Sequence, residues 1–273
     1  MEAVIDAVVH GESRRAVPRV VVVGLASCFG CQLQITNAER YLMDVVGQLD
    51  ITYWQLASDA PMPESFDVAI IEGAVTTNEA LQTVRLLRER AATVILIGAC
   101  ATTGGIPGMA AKGFEDRSAQ VYAQLPDACG DIIAPRPVSD VIKVDYEVRC
   151  CPIDTLDFVD VLEQALFGSN RYPKTSTMCG ECKRNDTRCF YTKGVMCLGL
   201  VTRAGCRARC VNLGRPCNGC RGLSPDANLE EARRIVAGAG LSVNAFDEAL
   251  EMYNQVNPAF APAVSAAVSG KEA

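Results

Sequence analysis

The chain has 273 residues, 14 cysteines, one histidine and a net charge of −6. That length carries one sizeable core and a small appendage. The acidic balance argues against a protein that grips a phosphate backbone, and a lone His10 near the N-terminus leaves no room for a Ser/His/Asp set or a histidine-rich metal site.

No apolar run is long enough to span a bilayer. Arg14 and Arg15 form a twin arginine, which can open an export signal. Here the pair precedes the valine run 20–23, and no small-residue cleavage site follows before Cys28. We therefore expect a loose leader over 1–17 and a cytoplasmic protein.

Residues 19–25 (RVVVVGL) predict a buried strand, a short continuous apolar run ending in glycine. Cys28 and Cys31 follow on a strand-to-helix loop, and 35–46 has helical spacing. Strands are expected over 51–55, 67–71 (DVAII) and 93–97 (TVILI), with a helix over 78–90. Cys100 lies just past the end of the last of these strands, within GACATTGG. The Pro-rich stretch 126–138 reads as a loop. Residues 141–144 lead on to Val148, Arg149, Cys150, Cys151 and Pro152, and a helix over 154–166 closes the unit.

Strands alternating with helices imply a doubly wound parallel sheet of flavodoxin type, followed by a small irregular appendage. In such sheets ligands bind at the carboxyl ends of the strands. Cysteines near 28/31, 100 and 151, each separated by a whole α/β unit, then converge on one rim as a four-ligand site. The glycines at 24, 73, 98, 104 and 105 form neither a dinucleotide fingerprint nor a Walker A loop. They let backbone approach a bulky group closely.

The appendage holds eight cysteines between 179 and 220: Cys179, Cys182, Cys189, Cys197, Cys206, Cys210, Cys217 and Cys220. So short and polar a segment cannot fold on hydrophobicity alone, so something bonded to its thiolates must hold it. Disulfides, two zinc sites and two cubane clusters are the three readings. Two short helices over 228–237 and 245–254 follow, and the tail from Pro258 packs on a surface or frays.

The motifs taken together resemble the small, electron-transferring subunit of [NiFe] hydrogenases over residues 19–225. They are Cys28-Phe-Gly-Cys31 after a strand, Glu72-Gly-Ala, the 98–105 run, Cys151-Pro152, Cys197-Leu-Gly-Leu-Val-Thr202 and Pro216-Cys-Asn-Gly-Cys220. A related subunit of respiratory complex I has adjacent cysteines at the first motif and lacks the eight-cysteine segment. The resemblance implies three [4Fe–4S] clusters. The proximal one is held by Cys28, Cys31, Cys100 and Cys151, the distal one by Cys179, Cys182, Cys189 and Cys197, and the medial one by Cys206, Cys210, Cys217 and Cys220. It divides the chain into a flavodoxin-like domain over 1–172 and a cluster domain with a helical tail over 173–273. It also implies a large subunit carrying the nickel–iron site. Flavin- and iron–sulfur-containing acceptor subunits, linked to NAD(P), F420 or heterodisulfide reductase, complete the set.

Three positions depart from the family pattern. Gln32 stands where relatives often have Glu, which puts a proton or hydrogen-bond role there in question. Cys150 stands where Gly usually precedes the ligand, so that Cys150 could replace Cys151. Ile153 replaces a second proline. Two other readings remain open: an iron–sulfur carrier of another multisubunit oxidoreductase that does not handle H2, and a zinc-stapled structural module.

Overall fold

The computed structural model describes residues 17–38, 48–123, 125, 130–168 and 173–257. The expected leader with His10, Arg14 and Arg15, most of the 35–46 helix, Cys129 and the tail from Pro258 lie outside the described residues.

Five strands make one parallel sheet: β1 (Arg19–Gly24), β2 (Asp50–Trp54), β3 (Val68–Glu72), β5 (Thr93–Ile97) and β7 (Tyr146–Val148). Their order is β2–β1–β3–β5–β7. Counted within this sheet that is the 2-1-3-4-5 order of flavodoxin-type folds. The strands are apolar almost throughout because both faces are covered. On one face Val20, Val22, Ile70 and Ile95 meet Phe158 and Leu162 of α6 (Thr155–Phe167). On the other, Val21, Val23, Ile71 and Leu96 meet Val84 and Leu87 of α2 (Asn78–Arg90). Each such side chain contributes about 1.5–3 kcal/mol on burial. Both helices start on sequence-encoded caps: the Thr77 hydroxyl accepts from the Ala80 amide at 3.1 Å, and the Asp154 carboxylate accepts from the Asp157 amide at 3.1 Å.

Strand register positions the loops beyond the sheet. Gly24 pairs with Glu72, Glu72 with Ile97, and Ile97 with Val148. These four form one row across the carboxyl rim. Cys28, Cys100 and Cys151 each come within four residues of their row member.

Two expectations need correction. The stretch 126–138 is not all loop, because β6 (Ile132–Arg136) pairs antiparallel with the three-residue β4 (Val75–Thr77), outside the main sheet. Pro135 hid it, although proline is tolerated in an edge strand. The helix after Cys28 also begins earlier than its apolar spacing suggests: α1 runs Gly30–Thr36, so Cys31 sits on the helix itself.

Short helices α3 (Gly98–Thr103), α4 (Gly105–Gly108) and α5 (Phe114–Val121) connect β5 to β6. Beyond Pro173 the chain makes α7 (Cys179–Arg184), α8 (Arg209–Asn212) and two short 3-10 turns, then α9 (Leu229–Gly238) and α10 (Val243–Asn254). Asn228 and Ser242 cap the last two helices through their side chains. Their apolar faces (Ala232, Val236, Phe246, Leu250) bury against Leu198 and Val201 of the cysteine-rich segment. That segment therefore gains an apolar anchor as well as its thiols.

Candidate metal centres

Cys28 is exposed in the loop after β1, Cys31 is buried on α1, Cys100 lies on α3 and Cys151 comes after β7. Burial pushes the Cys100 thiol up to about 11, and the nearby Cys151 and Cys28 sulfurs add to the effect. Burial also pushes the Cys31 thiol up, reinforced by Glu72, Cys151 and Cys100. The four thiols thus share one neighbourhood at the rim. Gly98 makes room for it: its φ is 86°, and a Cβ there would stand 2.5 Å from Cys31 Sγ.

A buried polar chain fixes α1 to the sheet. Glu72 is 1% exposed and accepts from the Cys31 amide at 3.0 Å and from Gln32 Nε2 at 2.8 Å. Gln32 in turn accepts from Trp54 Nε1 at 2.7 Å. The hydrogen-bond role in question for Gln32 is therefore plain: the amide joins a carboxylate acceptor to an indole donor.

Cys179, Cys182, Cys189 and Cys197 form a second group. The Cys179 thiol is pushed up to about 11, first by burial and then by Cys197, Cys182 and Cys189. Cys197 Sγ accepts from the Cys217 amide at 3.2 Å, and Cys182 Sγ lies 3.0 Å from Thr187 Oγ1. A Cβ on Gly199 would touch Cys179 Sγ at 3.5 Å and Cys197 Sγ at 3.6 Å.

Cys206, Cys210, Cys217 and Cys220 line a cavity of 60 Å³. Burial pushes Cys217 up to about 12. Cys210 is the exposed member. Spacing alone would set it one helical turn from Cys206, but Arg207 and Ala208 both have φ of 55° and α8 starts only at Arg209. Cys150, Cys151 and Tyr253 also line this cavity, and the motifs assign none of them to it. Cys150 Sγ lies 3.6 Å from Cys220 Sγ, and Tyr253 of α10 reaches the Cys151 sulfur through its hydroxyl. Cys151 keeps company with Cys28 and Cys100, whereas Cys150 faces Cys206 and Cys220. No local pattern announces Tyr253, which lies far down the chain beyond every cysteine motif.

Among the described residues, no three His, Cys, Asp or Glu side chains converge on a site for one metal ion. Tetrahedral zinc with Zn–S bonds of about 2.3 Å needs its sulfurs about 3.8 Å apart. A cubane carries each thiolate on a different iron and needs them farther apart. Thiols grouped in fours, one of each four buried and several raising one another's cost of ionisation, suit a positively charged multi-iron core.

Residues 28–165 match the family model of the NADH ubiquinone oxidoreductase 20 kDa subunit. The chain belongs to this family. It is 32% identical over 206 residues to sulfhydrogenase 2 subunit delta of Pyrococcus furiosus, covering 75% of this chain and 86% of that one. It is 30% identical over 256 residues to a subunit of the vhu F420-non-reducing hydrogenase of Methanocaldococcus jannaschii, covering 81% and 88%. Within the family it is a small subunit of the [NiFe]-hydrogenase type, part of a hydrogenase complex. The actinobacterial-type NiFe-hydrogenase from Ralstonia eutropha H16 shares the fold, with a TM-score of 0.55 over 97% of this chain and 95% of that one at 16% identity. The α/β fold and the hydrogenase resemblance read from the motifs are both borne out. No helix among the described residues of this small subunit is long and apolar enough to cross a membrane.

Proposed function

We propose that this chain relays electrons in a cytoplasmic [NiFe] hydrogenase, between the nickel–iron site of a large subunit and an acceptor subunit, through three [4Fe–4S] clusters. Cys28, Cys31, Cys100 and Cys151 hold the proximal cluster on the flavodoxin-like domain, 1–172. Cys206, Cys210, Cys217 and Cys220 hold the medial cluster, and Cys179, Cys182, Cys189 and Cys197 the distal one, on the domain 173–273. The acceptor is a flavin- and iron–sulfur-containing unit linked to NAD(P), F420 or heterodisulfide reductase.

The observation that carries the reading is the in-register row Gly24–Glu72–Ile97–Val148, which delivers thiols from three separate α/β units to one rim. The clusters supply one-electron storage. The chain supplies thiolates, amide donors such as Cys217 N–H on Cys197 Sγ, and glycine cradles that admit a bulky inorganic core. The large subunit then covers the rim where Cys28 is exposed.

The test is an anaerobic purification of the complex. In the subcomplex of this chain with the large subunit, sulfide should match three cubanes per chain and iron should exceed that only by the nickel–iron site, and H2 should reduce viologen. Cys100→Ser in an assembled complex should abolish that reduction. Wild-type viologen reduction by the assembled variant would sink the proximal assignment.

A further inference from the structure

Cys150 stands outside all three proposed ligand sets, yet it is buried and placed among them. Its sulfur lies 3.6 Å from Cys220 Sγ and within hydrogen-bonding reach of Cys206. Its chain neighbour Cys151 belongs to the rim group with Cys28 and Cys100. Both line the cavity of the medial group, Cys150 against Cys220, while Cys151 also faces the rim thiols. The backbone holds this arrangement firmly. The Cys150 carbonyl accepts from the Ala99 amide at 2.8 Å, and the preceding Arg149 carbonyl accepts from Arg221 Nη1 at 2.6 Å. The φ of Cys150 is 156°, in the region that favours glycine, so a side chain is kept here against the local backbone preference.

We propose that Cys150 is a positioning residue of the medial centre: its thiol donates a hydrogen bond to the iron-bound sulfur of Cys220 or Cys206 and raises that cluster's reduction potential. The inference rests on the cluster assignment above. An iron-bound thiolate carries no proton, so in the pair Cys150–Cys220 only Cys150 can donate. Reduction adds negative charge that spreads onto the ligand sulfurs. A donor aimed at one of them stabilises the reduced state more than the oxidised one. The same residue links the two centres: one peptide unit from Cys151 to Cys150, then a single S–H···S contact.

The experiment is a potentiometric EPR titration of the anaerobically purified complex, comparing wild type, Cys150→Ala and Cys150→Ser. The medial signal is assigned as the one that changes in Cys210→Ala. The alanine variant should keep three clusters and shift only the medial midpoint, downward. Serine, whose hydroxyl still donates, should bring it back toward wild type. Three clusters with unchanged midpoints in Cys150→Ala overturn the proposal. Loss of a whole cluster in that variant also overturns it, by making Cys150 a ligand. A wild-type complex without three clusters fails earlier, at the cluster assignment, and takes this inference with it.

Discussion

Both ends of the Gln32 amide are committed, one to Glu72 and the other to Trp54. Leucine at this position keeps the bulk and removes both bonds. An unpaired buried polar group costs about 1–3 kcal/mol, more when charged, so Gln32→Leu should lower the thermal midpoint of the complex, followed as bleaching of its visible absorbance. The Cys31 amide bond to Glu72 also loses its brace, so the rim cluster should bleach first. An unchanged midpoint would show that the chain Trp54–Gln32–Glu72 carries no stability. Single residues are also where the sequence was least informative. The choice between Cys150 and Cys151 was open because direction is set by backbone angles, and a φ of 156° leaves no trace in residue type. The Tyr253 hydroxyl meets Cys151 only because the C-terminal part folds back over the rim, which no spacing encodes.

Helix α2 is held at its end by an ion pair that also ties down two neighbouring segments. Arg88 Nη1 lies 2.5 Å from Asp145 Oδ2, and Arg88 Nη2 donates to the Ala91 and Ala92 carbonyls at 2.7 and 2.9 Å. Asp145 also accepts from the Val94 amide at 2.8 Å. Burial pushes the Asp145 carboxyl up, but the bonds from Arg88 and Val94 outweigh it and leave the carboxyl below the usual range. A depressed folded pKa means stability that is present above the unfolded value, about 3.9, and is lost as pH falls through the folded one. Arg88→Ala should therefore speed hydrogen exchange at the Val94 amide at neutral pH. The gap from wild type should close as acid protonates Asp145 in both. A gap that persists unchanged into acid would refute the pairing. The long elements of this sheet were legible because burial on both faces writes a continuous apolar run. The β4–β6 pair was not, since a three-residue strand and a proline-bearing partner carry no periodicity.

Over the whole molecule, α10 joins the two parts of the chain. Phe246 and Leu250 lie in the C-terminal core, Tyr253 lines the cavity between Cys151 and Cys220, and Val256 just beyond packs on Gly104 and Gly108. A Cβ on Gly104 would collide with Val256 Cγ2, and its φ of 85° is itself unfavourable for any other residue. Gly104→Ala should cost more than about 1 kcal/mol and lower the temperature at which the complex bleaches. Val256→Ala in the same background should recover part of the loss, and no recovery would mean that the contact is not the cause. The placement of α10 also orders events in time. Every proposed cluster ligand precedes Ser242, so all twelve thiols leave the ribosome before the helix that lies over the space between two of the centres. Iron and sulfide can reach the interior while that side stands open, and the last described turn of the chain then closes the door behind them.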